Sequence, residues 1–175
     1  MRKTTLSLGL GLLASVLAVP AFAATTITGN LTVQATVVST CTLNSAAAAG
    51  AGNGLLNFGN VTSTLANVDV DTTAGGNYGV SVICTNTTPY TVFANNGANA
   101  AGSQNNMKLG AALLPYNLYT TAGRTIPFPT TSGAALSFTG NGTAQTIPFY
   151  GRIPSGTTLP AAGLYTDTVV VSITY

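Results

Sequence analysis

The sequence predicts an all-β protein built as an antiparallel sandwich of short strands. After residue 23 the chain contains no Glu and a single Lys, and its apolar residues do not recur at helical spacing. Short runs of alternating apolar and polar residues are frequent. Clusters rich in Gly and Asn separate them, as at residues 95–97 and 140–142. Many short strands with such turns are typical of an antiparallel sandwich.

The first 23 residues have the pattern of a cleaved export signal. Two basic residues near the start precede an apolar run over residues 6–19, and small residues lead to a cleavage point after Ala23. A membrane-spanning helix needs roughly 20 apolar residues, and this run is shorter and ends at Pro20. We therefore expect residues 1–23 to be a signal peptide, with export of the remaining chain and no stable membrane insertion.

The chain after residue 23 carries no net charge, and the +2 of the full sequence belongs to the signal. The balance is between three basic and three acidic side chains: Lys108, Arg124 and Arg152 against Asp69, Asp71 and Asp167. Such a surface cannot hold a polyanion by releasing counterions, which argues against nucleic acid as a partner. A net charge near zero favours the association of folded domains with one another.

Cys41 and Cys84 are the two cysteines of the chain. In an exported protein an even number predicts a disulfide, and only one pairing exists. The bridge closes a loop of about 44 residues, worth on the order of 4 kcal/mol in the chain-entropy model. A metal or redox pair is excluded by the absence of a CxxC spacing and of His. We expect Cys41 to precede the first strand of the domain and Cys84 to end another strand.

Alternation predicts strands along most of the chain. The pattern is clear at residues 78–84, where Tyr78, Val80, Val82 and Cys84 share one face. Further strands are predicted at residues 55–61, 65–70, 89–94, 115–120, 135–139 and 145–152. Residues 44–54, rich in Ala and Gly, are predicted to form a flexible loop.

Long patterns of alternating apolar and polar residues also occur near the beginning and the end of the sequence after the signal. Val169, Val171 and Ile173 share one face of a predicted strand that runs to the last residue of the sequence. Directly after the signal, the residues that share one face are Ile27, Gly29, Leu31, Val33, Ala35 and Val37. Alternation indicates that one face is buried, but not against what. The pattern alone favours an ordinary first strand of the same sandwich over a strand donated to another subunit.

Several short motifs follow one another along the chain. They are LNFG at residues 56–59, VSVIC at 80–84 with PYTV at 89–92, YNLY at 116–119 with GR at 123–124, IPFYGRIP at 147–154 and GLYTDTVVVSITY at 163–175. Each motif is weakly specific, whereas the ordered set, with both cysteines in place, covers nearly all of the chain after the signal. This set resembles the spore coat protein U domain family, which includes the subunits of archaic, Csu-type chaperone–usher pili.

The resemblance reverses the preference for a first strand paired within the same sandwich. It implies an incomplete immunoglobulin-like antiparallel β-sandwich completed by a donated strand. Residues 24–38 would be the N-terminal donor strand and residues 39–175 the pilin domain. The implied donor residues are Ile27, Gly29, Leu31, Val33 and Val37, and the acceptor groove would be lined partly by Val169, Val171 and Ile173. The implied partners are a periplasmic chaperone, an outer-membrane usher and other copies or related pilus subunits. The implied location is a surface fimbrium that supports adhesion and biofilm formation.

Groups that catalysis and metal binding require are scarce. The chain has no His or Glu, so its Ser and Thr hydroxyls have no base to activate them. Asp69 and Asp71 share a strand face, but calcium prefers roughly six to eight oxygens, so a solvated strand face is the better interpretation. Asp167 is expected at a turn or edge, and Arg124 and Arg152 are expected to hydrogen bond at strand ends rather than to form a ligand patch. We expect no enzymatic activity, no cofactor and no bound metal.

Two functions other than fibre formation remain open from the sequence. One is a monomeric secreted or surface sandwich that binds a ligand such as a glycan, and the other is a protective coat component. Among pilus subunits, a tip adhesin usually carries an additional binding domain and needs no N-terminal donor strand. A chain of one domain's length with such a strand fits a shaft or adaptor subunit better.

Overall fold

The computed structural model describes residues 25–44, 52–73 and 75–175. The predicted signal peptide and residues 45–51 of the predicted flexible loop lie outside the described residues. The chain divides into two units, Met1–Thr36 and Val37–Tyr175, and we call the second unit the domain. Among the described residues, no helix has the length and apolar character needed to cross a membrane.

The described part of the domain contains ten β-strands and a short 3₁₀ turn, Ser132–Ala134. The strands are β1 (Cys41–Leu43), β2 (Val68–Asp71), β3 (Val80–Cys84), β4 (Pro89–Ala94), β5 (Asn105–Leu109), β6 (Ala112–Tyr119), β7 (Leu136–Thr139), β8 (Ala144–Ile147), β9 (Tyr150–Ile153) and β10 (Val171–Thr174). The all-β class predicted from the sequence is confirmed.

Antiparallel pairing arranges the strands in three sheets. The first sheet has the order β1-β3-β8, the second β10-β4-β7 and the third β2-β9-β6-β5. Every strand pair within them is antiparallel. Where a strand alternates apolar and polar residues, as β4 and β9 do in burial, one face of the sheet is buried and the other faces solvent.

Two clusters of buried side chains form the core. The larger cluster joins the first and second sheets and includes Val82, Tyr90, Val92 and Ile147. The smaller cluster is built on the third sheet from Leu114, Tyr116 and Ile153. Val169 packs against both clusters. The C-terminal part of the chain therefore connects the two halves of the core.

One strand predicted over residues 145–152 is two strands in the structure. Strand β8 pairs with β3 in the first sheet, whereas β9 pairs with β2 and β6 in the third. The change of sheet falls at Pro148 and Phe149. Pro148 has no N–H to donate to a ladder, and the Phe149 N–H donates to Thr72 Oγ1 at 2.8 Å. The proline in the run was the signal for this break.

Strands β1 and β5 are not predicted by the sequence. The expectation that Cys41 precedes the first strand is wrong, because Cys41 lies in β1 and pairs in register with Cys84. With three residues, β1 is too short to show alternation. Strand β5 shows no alternation of apolar and polar residues in the sequence. Its two adjacent polar residues, Asn105 and Asn106, are both buried.

Two predicted strands are shorter or less regular than expected. The segment over residues 55–61 has one isolated bridge, between Leu55 and Tyr78. Of the strand predicted from residue 165 to the end of the sequence, only β10 is regular, while Thr166 forms an isolated bridge with Lys108. Both segments contribute residues to the lining of one groove.

Residues 25–36, the described part of the first unit, contain no β-strand. Three of their apolar side chains are almost fully exposed: Ile27 at 95%, Leu31 at 88% and Val33 at 83%. The prediction that residues 27–37 form a regular strand is therefore not met within the described residues. A strand is a hydrogen-bonded ladder, and an extended segment becomes one only with a partner.

Candidate functional site

An open groove of about 750 Å³ lies in the domain. Two irregular stretches, residues 54–61 and 159–167, contribute much of its lining, together with side chains from β5, β6 and β9. Its apolar lining residues include Phe58, Met107, Leu114, Leu118, Ile153 and Val169. Part of the smaller core cluster is thus accessible from the groove.

The packing of residues 54–61 depends on a glycine in β9. A Cβ on Gly151 would lie 2.7 Å from Leu56 Cδ2 and 2.9 Å from Phe58 Cζ. The two side chains therefore pack directly on the backbone of β9, where only Gly leaves room. Phe58 also meets the Tyr116 ring edge-on, with centroids 6.2 Å apart. These contacts hold one side of the groove lining without a regular strand.

The backbone near β10 has one side free of strand partners. We call residues 165–174 the C-terminal segment. The carbonyls of Thr168 and Val170 each accept a hydrogen bond of 3.0 Å from N–H groups in the loop after β4. Because successive residues of a strand direct their backbone groups to opposite sides, those of Val169 and Val171 point away from β4. In the described chain β10 is an edge strand with no ladder on that side.

The three predicted acceptor residues all lie in the C-terminal segment. Val169 and Val171 line the groove, and both are half-buried against the larger core cluster. Ile173 is also half-buried there and pairs with Val92 of β4, but it is not part of the groove lining as the structure describes it. Their function as acceptors of a strand stays a prediction.

The predicted donor residues are exposed where the structure describes them. Gly29 has open space where a side chain would begin, and Ile27, Leu31 and Val33 present their apolar side chains to solvent. Val37, the first residue of the domain, is 82% exposed. An alternating set of exposed apolar side chains is uncommon in a finished soluble surface. Their role as a donor strand stays a prediction.

Cys41 and Cys84 form the predicted disulfide, with an S–S distance of 2.04 Å. The two residues stand opposite each other in β1 and β3, with Cα atoms 4.1 Å apart. Next to the bridge, the Thr85 N–H donates to the Thr40 carbonyl at 2.9 Å, and its hydroxyl donates to the Val38 carbonyl at 3.2 Å. The residues that immediately precede β1 are therefore fixed to the end of β3.

Asp167 is held by a hydrogen-bond cluster that the sequence does not predict. Its Oδ2 accepts from the Tyr116 hydroxyl at 2.7 Å, and its Oδ1 accepts from the Asn99 N–H at 3.1 Å and the Asn99 amide at 3.0 Å. Tyr116 is 4% exposed on β6, and burial, followed by the bond to Asp167, raises the pKa of its hydroxyl. An acidic residue in an apolar strand was the one signal for this cluster.

The Asp167 cluster lies where the chain passes between two sheets. Just before it, Thr166 and Lys108 of β5 exchange backbone hydrogen bonds of 2.8 and 3.2 Å. Just after it, the Thr168 carbonyl accepts from the loop that follows β4. The Asn99 amide also donates to the Thr166 carbonyl at 3.2 Å. The C-terminal segment thus leaves the edge of the third sheet and joins the second at Asp167.

Asp69 is held by two arginines on the exposed face of the third sheet. Arg152 donates to its two oxygens at 2.7 and 2.8 Å, and Arg124 Nε lies 3.5 Å from Oδ1. The hydrogen bond from Arg152 is the main cause that lowers the pKa of Asp69. Arg124 also donates to the Val70 and Gly151 carbonyls at 2.9 and 3.0 Å. The expectation of hydrogen bonds at strand ends is correct only in part, because Arg124 bonds to carbonyls within β2 and β9 and Arg152 bonds to the Asp69 carboxylate.

The solvated strand face expected for Asp69 and Asp71 is correct only in part, because both carboxylates have intramolecular partners. Asp71 accepts a hydrogen bond of 2.8 Å from the Thr73 N–H, and the bond from the Thr73 hydroxyl is the main cause that lowers the pKa of Asp71. Among the described residues, no group of three His, Cys, Asp or Glu side chains is placed to hold a metal ion.

Acid should weaken the domain partly through Asp69. Its folded-state pKa lies below the ordinary value of 3.8, so its contribution is present above that value and is lost as the pH falls through the folded pKa. We expect Asp69→Asn to cost less than about 1 kcal/mol at neutral pH, because the pair is partly solvated. Urea unfolding at neutral pH and at a pH below 3.8 should show this difference shrinking as the pH falls. A difference that is equal at both pH values would contradict the assignment.

The geometry defines a class of protein, an antiparallel β-sandwich with an apolar groove along an edge that has no strand partner in the described residues. The model of the Spore Coat Protein U domain family matches residues 27–172, and the chain belongs to that family. No curated protein sequence matches the chain.

A solved structure shows the same fold. It is a chain of the CsuC–CsuE chaperone–tip adhesion subunit pre-assembly complex from archaic chaperone–usher Csu pili of Acinetobacter baumannii. The TM-score is 0.50 at 23% sequence identity, and the match covers 80% of this chain and 40% of that chain. Our chain thus spans two-fifths of the length of its structural neighbour. The family and the antiparallel immunoglobulin-like sandwich predicted from the sequence are confirmed.

Proposed function

We propose that this protein is a subunit of an archaic chaperone–usher pilus and polymerises by donor-strand complementation. Residues 24–38, the donor segment, would enter the groove of a second copy of the chain. The observation that carries the proposal is the groove beside Val169 and Val171, whose backbone groups face away from β4. The same chain supplies a segment with exposed alternating apolar residues, which is the chemistry that such an edge takes up.

A donated strand would both pair with the open backbone edge and cover the apolar lining of the groove. Its backbone can pair with the N–H and C=O groups of Val169 and Val171, which otherwise form an aggregation-prone edge. Its alternate side chains can cover the apolar lining. Residues 27–37 in extended form span roughly 33 Å, and residues 165–173 span roughly 26 Å. The donor segment is therefore long enough to follow the whole edge.

The side chains of the donor segment would contribute a large part of the free energy that holds subunits together. Ile27, Leu31 and Val33 are almost fully exposed, and complete burial of one such side chain contributes about 1.5–3 kcal/mol. Three of them offset much of the cost of ordering the segment and of bringing two subunits together. Gly29 would let the donor backbone approach the groove closely at one point of the strand.

The partners and location follow from this mechanism. A subunit with an open edge needs protection during export, which a periplasmic chaperone would supply, and an outer-membrane usher would exchange the chaperone for the donor segment. The finished fibre would stand on the cell surface and support adhesion and biofilm formation. We propose a structural role without enzymatic activity, because the groove offers one carboxylate and no His or Glu.

Deletion of residues 24–38 tests the proposal. The variant should fold and still accept a donor strand, but it has none to give, so alone it should form no fibres. Added to the intact protein during assembly, it should end chains and shorten fibres in proportion to its fraction. Electron microscopy gives fibre length, and unboiled gels show the ladder of subunits. A deletion variant that polymerises, or that unfolds because the segment is its own first strand, refutes the proposal.

The family description, Spore Coat Protein U domain, supports a second candidate, a secreted or coat sandwich protein that does not form fibres. That protein would stay monomeric after export at high concentration. Size-exclusion chromatography of the mature chain, residues 24–175, with and without deletion of the donor segment, separates the two candidates. The coat candidate requires both chains to elute as monomers of their own length.

A further inference from the structure

One carboxylate, that of Asp167, ties the edge of the groove to two separate parts of the domain. Asp167 receives one hydrogen bond from Tyr116 on β6 and two from Asn99 in the loop after β4. Its partners therefore belong to two different sheets or their connecting loops. Hydrogen bonds to an ionised carboxylate are about twice as strong as neutral ones. This residue joins the two halves of the sandwich at the point where the C-terminal segment crosses between them.

The loop around the carboxylate is shaped to receive it. A Cβ on Gly97 would overlap the Asp167 carboxylate, and Gly97 has a φ of 85°, which favours glycine. The Gly97 N–H donates to Asn95 Oδ1 at 3.0 Å, and the same oxygen accepts from the Val170 N–H at 2.9 Å. The loop and the C-terminal segment thus enclose the carboxylate together, and no larger residue fits at Gly97.

Part of the same segment is irregular, although backbone groups of Thr168 and Val170 also bond to the loop after β4. Residues 167–170 lie outside the regular strand, which begins at Val171. Both Asp167 and Tyr116 line the groove. Because the backbone groups of Val169 point to the side without a strand partner, whatever fixes this stretch also fixes the positions of the groups that an incoming strand would pair with. Order that already exists before binding lowers the entropy cost of binding.

We propose that Asp167 is a positioning residue for strand uptake, whose carboxylate, held by Tyr116 and Asn99, keeps the edge of the groove in the geometry that a donor strand requires. This inference rests on the proposed function. It assigns to Asp167 a role in affinity for the strand that exceeds its role in the stability of the domain. The strand it prepares for is the donor segment of a second copy.

Binding of a labelled peptide measures this role directly. The protein is the mature chain, residues 24–175, with Leu31→Asp, which disables its own donor segment. The probe is a fluorescein-labelled peptide with the sequence of residues 24–38, and fluorescence anisotropy gives its affinity. If the protein with Asp167 intact does not bind the peptide, the proposed function fails. If it binds, the variants at Asp167 decide the positioning role separately.

Three variants in this background separate positioning from stability. Asp167→Ala removes every acceptor and should weaken peptide binding at least tenfold. Asp167→Asn keeps an acceptor for Asn99 and a polar group for Tyr116, and should recover most of the affinity. The control is Phe138→Leu, which destabilises the second sheet by removing a ring stacked on Tyr90 but does not line the groove. It should lower the melting temperature without weakening peptide binding.

Each outcome supports or contradicts the proposal. Equal peptide affinity for Asp167→Ala and the parent, or an Asp167→Asn protein no better than Asp167→Ala, overturns it. The proposal also fails if Phe138→Leu and Asp167→Ala lower the melting temperature equally and weaken peptide binding equally. Should Asp167→Ala fail to fold, Tyr116→Phe answers instead, because it removes one donor and keeps the ring. It should weaken binding at least threefold, and unchanged binding refutes the proposal.

Discussion

Leu31→Asp should abolish fibre formation, whereas Thr32→Asp should leave it nearly intact. Both side chains belong to the exposed donor segment, so neither change should disturb the fold of the domain. In the donated strand, however, Leu31 would enter the apolar groove and Thr32 would face solvent, because alternate side chains point to opposite faces. Burying an unpaired carboxylate costs several kcal/mol, which corresponds to at least a hundredfold loss in affinity between subunits.

The pair of variants is matched in charge, in size of the new side chain and in position along the chain. Fibres are counted by electron microscopy, and the subunit ladder is compared on unboiled gels. Circular dichroism spectra of the two proteins should be the same, which excludes misfolding as the cause. If Thr32→Asp is as damaging as Leu31→Asp, the donor face is assigned wrongly. If both variants polymerise, the segment is not a donor.

The fold was predictable where a strand is bounded by turns and alternates without interruption. Strand β4 agrees with the predicted residues 89–94, because Tyr90, Val92 and Ala94 are buried between less buried neighbours. Alternation failed where burial did not follow polarity. Asn106 of β5 is 4% exposed, and its amide donates to the Gln104 carbonyl at 3.1 Å. A buried Asn satisfied by local backbone has the same sequence signal as an exposed one.

The candidate site was predictable in part. The alternating pattern placed Val169, Val171 and Ile173 on one face, and Val169 and Val171 line the groove, but the expectation of a groove came from the family resemblance. Most of the other lining stretch, residues 55–61, was predicted as a strand, but it has one isolated bridge and packs on Gly151 instead of joining a ladder. The partners of Asp167 could not be predicted from the sequence. Its partner Tyr116 is 51 positions away, and only the crossing of the chain between sheets brings them together.

The resemblance to a family changed the interpretation of the N-terminal segment, and the alternating pattern could not have done so alone. An amphipathic strand looks the same whether it pairs within its own sandwich or with a neighbour. The structure adds the exposure of Leu31 and Val33 and the absence of a strand in residues 25–36. These observations agree with a segment that acquires a partner only on assembly, which is the feature that the matched Asp variants test.

Removal of the disulfide should have the largest effect on the domain itself. Cys41→Ala combined with Cys84→Ala opens a loop with a sequence separation of 43, and the chain-entropy model gives a loss of about 4 kcal/mol. Because small domains have about 5–15 kcal/mol of stability in total, the variant should unfold at a much lower denaturant concentration. Urea unfolding of the variant and of the intact protein, both carrying Leu31→Asp to keep them monomeric, gives the difference.

The bridge also holds the start of the domain, so its removal should loosen that region before the rest of the domain. The Thr85 N–H and hydroxyl bond to the Thr40 and Val38 carbonyls beside the bridge. In the double-Ala variant these contacts should loosen first. The hydrogen-exchange rate at Thr85 should therefore increase more than the rates in β4. The control is the intact protein after reduction, which keeps both sulfur atoms and should show the same order. In the urea experiment, a loss of unfolding free energy below about 1 kcal/mol would contradict the entropic account of this loop.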